Sequence, residues 1–68
     1  MDPIRAMWDS LIQTKPDMMS VVGNAKLVGG RIDHNDQNDK IFLFLTNKGA
    51  FSFNTVTGEF KRDKLQIV

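Results

Sequence analysis

Cysteine is absent from these 68 residues, so no disulfide can staple the fold and no thiolate site can hold a metal. A single histidine excludes a His-rich metal site as well. No apolar run exceeds five residues, far short of the roughly 20 that a membrane-spanning helix needs. An excess of charge of one sign is missing too. Nine Lys and Arg against eight Asp and Glu leave a net charge of +1, which gives no reason to expect a polyanionic partner. The opening segment MDPIRAMWDSLIQT has an acid at position 2 and charges throughout, unlike a secretory signal peptide, so a cytoplasmic protein is expected. Neither GxGxxG nor GxxxxGK[ST] occurs, and no cofactor is expected. Without staples, a core of this size supplies only about 3–5 kcal/mol, which leaves oligomerisation or a partner as the usual supplement.

What is present is ordinary for a globular chain: 41% hydrophobic and 25% charged residues. One domain is expected over 1–68, with a helical part at 1–23 and a β-meander at 24–68. Asp2-Pro3 is a helix start, because the carboxylate can accept from first-turn amides and proline suits the first helical position. Ile4, Met7, Trp8, Leu11 and Ile12 then form one apolar stripe, and Pro16 predicts that the helix stops near Thr14. The stretch 17–22, DMMSVV, is read as a short helical turn capped by Asp17 and closed by Gly23, with a strand as the alternative. Ala25–Asp33 reads as a strand in which Gly29-Gly30 signals a bulge or a close backbone approach. A polar loop, 34–39, follows.

The segment KIFLFLTNKGAFSFNTVTGEF, 40–60, carries two hairpins. Ile41, Phe42, Leu43, Phe44 and Leu45 place large apolar groups on both faces of a sheet, so one face is expected to need a second layer. A two-residue loop at Lys48-Gly49 would put Phe42, Phe44, Phe51 and Phe53 on one face. A three-residue loop, Asn47-Lys48-Gly49, would pair Leu45 with Phe51, grouping Ile41, Leu43, Leu45, Phe51 and Phe53; it is preferred because Gly suits the third position. Phe42, Phe44, Thr46, Ala50, Ser52 and Asn54 would then form a mixed, open face. The turn 55–58 should pair Phe53 with Phe60, and a final short strand is expected over Leu65–Val68 after a turn at 62–64. The fold class is therefore α+β, an N-terminal amphipathic helix on an antiparallel meander of three to five strands. Locally, FLTNKGAFSFNTVTGEF resembles the inner strands of a β-propeller blade, but a propeller needs several blades and this chain has room for one.

Candidate sites follow from the same reading. Asp33 to Asp39 gathers carboxylates and amides, yet the EF-hand spacing fails because Asn38 stands where glycine is needed and no glutamate closes the loop. No metal is expected. His34 could serve as a general base, but no motif fixes a nucleophile beside it, so no catalytic residue is assigned and no enzyme is expected. Gly29, Gly30 and Arg31 could form a small anion-binding nest. The residues expected to meet a partner are Phe42, Phe44, Thr46 and Ser52. The chain is expected to be a non-enzymatic protein-binding module, an inhibitor or adaptor working as a homo-oligomer through Phe42, Phe44 and an exposed edge strand. Small accessory proteins of phages and mobile elements share this profile. The alternative is a nucleic-acid or nucleotide-binding module with Arg31, Lys40, Lys61 and Arg62 on phosphates and phenylalanines stacking on bases.

Overall fold

The computed structural model describes residues 2–63. Helix α1 spans Pro3–Thr14, and Asp2 caps it as its sequence implies, with Ile4 N–H donating to Asp2 Oδ1 at 2.9 Å. Its end also falls where Pro16 demands, and Lys15 N–H closes the last turn on Leu11 O at 2.8 Å. A single helical turn α2, Pro16–Met19, runs into a 3₁₀ turn, Ser20–Val22, and Gly23 ends it with φ of 57°. The helical reading of 17–22 therefore holds, although Lys15 and Pro16, not Asp17, stand at its start.

Four strands follow as an antiparallel meander in the order β1-β2-β3-β4: β1 Leu27–His34, β2 Lys40–Thr46, β3 Gly49–Asn54 and β4 Phe60–Asp63. The fold is thus α+β, with α1 packed against this sheet. The glycine pair does both things its sequence suggests. The β1–β2 register shifts between Leu27 and Gly29, and Gly30 lies so close to the Leu43 carbonyl that a Cβ there would collide with it and come within 2.9 Å of Ile4 Cγ2.

The preferred hairpin register is corrected. Thr46 pairs with Gly49, Phe44 with Phe51 and Phe42 with Phe53, so the loop is Asn47-Lys48 alone. Gly49 does adopt a positive φ, 119°, but as the first residue of β3 and not as the third loop residue. The Thr46 hydroxyl bridges this turn, donating to Gly49 O at 2.7 Å and accepting from Lys48 N–H at 3.1 Å. Moving the pairing by one residue turns every side chain of β3 to the other face relative to β2. Phe42, Phe44, Phe51 and Phe53 consequently share the face that α1 covers. There they form one core with Ile4, Trp8, Leu11, Met19, Val22 and Leu27. Trp8 lies on Phe44 with ring centroids 4.9 Å apart, and Phe44 and Phe51 are fully buried. Phe60 pairs with Phe53 as expected and stacks on Phe51 at 5.5 Å. Arg62 and Asp63 belong to β4 and not to a turn, while the expected strand Leu65–Val68 lies outside the described residues.

Candidate interaction surface

Ile41, Leu43, Leu45, Ala50, Ser52 and Asn54 occupy the opposite face of the sheet, and no described element packs over it. In register, one transverse row reads Arg31, Leu43, Ser52, Lys61, so a basic side chain flanks the aliphatic strip at either end. The strip is narrower than the five-residue apolar run implies. Leu43, Ala50 and Ser52 are already buried on central strands, and Ile41 and Leu45 are only partly exposed. A shallow cleft of about 240 Å³ opens here among Ile41, Ser52, Asn54, Glu59 and Lys61. A second, apolar cleft of about 220 Å³ lies between α1 and α2, where Ile12 leaves the buried stripe and remains 47% exposed beside Trp8, Pro16 and Met19.

The residues expected to meet a partner divide between the two faces. Phe42 and Phe44 are core groups beneath α1, and Thr46 is spent on its turn; the register correction is what moves all three. Ser52 stays on the uncovered face, 5% exposed. The four basic residues of the nucleic-acid alternative separate likewise. Arg31 and Lys61 lie on the uncovered face, whereas Lys40 sits over the Phe42 ring at 5.7 Å and Arg62 over Phe51 at 4.8 Å. Arg62 also donates to Lys48 O at 3.1 Å, so it braces the β2–β3 turn and seals that end of the core. The phenylalanines that would stack on bases are enclosed.

Gly29, Gly30 and Arg31 run through the β1–β2 ladder as extended strand, with no concave nest of amides. The Arg31 guanidinium is 3.8 Å from Asp33, and both side chains are more than half exposed, so this pair contributes little to stability. Asp33 Oδ1 also accepts from the backbone N–H of His34 at 2.9 Å, leaving the imidazole exposed and not aligned by that carboxylate. The rest of the polar loop folds on itself: Asn35 Oδ1 accepts from Gln37 and Asp39 N–H, and Asp39 Oδ2 accepts from Asn35 and Asn54 amides. Among the described residues, no three His, Asp or Glu side chains converge as a metal site would require. No helix among them is long and apolar enough to cross a membrane.

The exposed edge strand expected from the sequence falls at the outer edge of β1. Thr55 N–H donates to Lys40 O at 3.1 Å and Asn35 N–H to Asp39 O at 3.2 Å, so even-numbered β2 residues direct their backbone groups to β3 and odd-numbered ones to β1. By the pairing, Gly29, Arg31 and Asp33 face β2, while the N–H and C=O of Gly30, Ile32 and His34 point outward. From Val28 onward β1 is exposed almost throughout, and Val28 itself is the bulged residue at its start. Among the described residues the opposite edge is β4, Phe60–Asp63, which carries Lys61 and Arg62, whereas β1 has eight residues with Arg31 and Asp33 as its charged pair and neither lysine nor proline. The run from Gly29 to His34 mixes small and polar residues, which suits a strand whose side chains are exposed. Comparison with family models, with curated proteins and with solved structures finds no match.

Proposed function

We propose that the protein is a non-enzymatic protein-interaction module, an adaptor or inhibitor of a larger protein, which also associates with itself. The observation that carries this reading is the free β1 edge. Along this eight-residue strand the backbone groups of Gly30, Ile32 and His34 point outward with no described strand beside them, the His34 N–H being held only by Asp33 Oδ1, and the edge has neither the lysine, the proline nor the short length that often protects one. Strand addition to such an edge draws affinity from main-chain hydrogen bonds and specificity from alternate side chains. The partly exposed Ile41 and Leu45 on the neighbouring strand supply adjoining contact area.

Ile32→Pro tests the reading, because it deletes an outward N–H while leaving the β1–β2 hydrogen bonds in place. The folded variant should lose both self-association, read by light scattering, and the proteins retained by immobilised wild type from a cell lysate. A variant indistinguishable from wild type in both measurements refutes the use of this edge. A wild type that neither associates nor retains any protein refutes the module as a whole.

A further inference from the structure

Resting on the interaction reading above, we infer that β1 pairs antiparallel with β1 of a second copy about a two-fold axis through Ile32, so that Ile32 meets the partner's Ile32 and Arg31 meets the partner's Asp33. The free edge restricts the choice of register. An added antiparallel strand must set outward backbone groups against outward groups, so a two-fold pair within β1 centres on a single residue near its middle. Centring on Arg31 puts one guanidinium opposite the other, which is unfavourable for directly opposed like charges. Centring on Gly30 leaves Arg31 facing glycine and Asp33 facing Leu27, so neither charge is met.

Centring on Ile32 satisfies both. Arg31 and Asp33 are two residues apart on the same face, and the two-fold turns their order round, giving two opposite-charge pairs across the new ladder. Ile32, 36% exposed on the helix-covered side beside Phe42, then gains an apolar neighbour continuous with the core. Gly30 and His34 exchange backbone hydrogen bonds at each end. Within one copy the exposed Arg31–Asp33 pair at 3.8 Å and the His34 N–H to Asp33 Oδ1 bond at 2.9 Å occupy the groups that the second strand would take over, exchanging each for an equivalent partner across the ladder. The bulge at Val28 falls outside the paired stretch from Gly30 to His34. Because the axis stands perpendicular to the sheet, both copies carry α1 on the same side and align their opposite faces, over which no described element packs, on the other. A single strand edge buries less than the roughly 1,600 Å² of a standard interface, so the pairing depends on concentration.

The test combines charge reversal with a cross-link. The mass of the wild type by light scattering should rise with concentration from 7.7 kDa towards twice that value. Arg31→Asp and Asp33→Arg should each stay monomeric over the same range, and the double reversal should dimerise again. Ile32→Cys, the only cysteine in its chain, should form a disulfide-linked dimer on mild oxidation, since hydrogen-bonded antiparallel pairs have Cα atoms about 5.5 Å apart, within disulfide reach. Circular dichroism confirms that each variant is folded. A wild type that is monomeric throughout overturns the pairing, while the module reading then stands or falls on the proteins retained by wild type and by Ile32→Pro. A dimer indifferent to either single reversal, a double reversal that stays monomeric, or a folded Ile32→Cys that does not cross-link overturns this register and leaves association through another surface intact.

Discussion

At the scale of single residues, adjacent glycines have opposite roles. A Cβ on Gly29 meets nothing within 4 Å, whereas one on Gly30 meets the Leu43 backbone and Ile4 Cγ2, and backbone cannot move aside as a flexible side chain can. Gly30→Ala should therefore lower stability by about 1–3 kcal/mol, as strained or overpacked sites do. Gly29→Ala should change it by less than about 1 kcal/mol. Urea unfolding of both variants checks the contrast, and equal effects would show that β1 does not approach β2 and α1 as described. Thr46 makes the same point about polar groups. A buried threonine in a hairpin looks in sequence like one more strand residue, yet its hydroxyl joins Lys48 N–H to Gly49 C=O and so ties the two-residue turn together.

At the scale of elements, α1 is specified almost completely by local chemistry. Asp2, Pro3, the apolar stripe and Pro16 mark its start, buried side and end without reference to the rest of the chain. Asp2→Ala removes the cap to Ile4 N–H and should cost about 1 kcal/mol, read as a lower thermal midpoint by circular dichroism. An unchanged midpoint would mean that the first turn is held by packing of Ile4 and not by its cap. The β2–β3 hairpin is different. Gly49 announces a turn, and both loop lengths are compatible with Asn47-Lys48-Gly49; local propensity does not separate them. Burial does. With Trp8 and Leu11 overhead, the pairing that gathers Phe42, Phe44, Phe51 and Phe53 under α1 removes more aromatic surface from water than one that divides them between faces.

At the scale of the whole molecule, the sheet has two unlike faces, and the difference is measurable. Phe51→Lys buries an ammonium in the core and should unfold a domain with only about 3–5 kcal/mol to lose. Leu45→Lys, partly exposed on the face opposite α1, should remain folded. Trp8, the sole tryptophan and 3% exposed, reports both outcomes through its emission. A folded Phe51→Lys or an unfolded Leu45→Lys would reverse the assignment of faces. The α+β class, the extent of α1, the turn at 55–58 that pairs Phe53 with Phe60, and the bulge and close approach around Gly29-Gly30 are legible in the sequence alone, because each rests on the period, caps and backbone freedom of a few neighbouring residues. The tertiary structure alone decided the β2–β3 register, the enclosure of Phe42 and Phe44, and which strand ends with a free edge. A one-residue register shift costs little locally and reverses every side chain, so only the helix lying across the sheet, and the order in which strands stack beside it, could select among the alternatives.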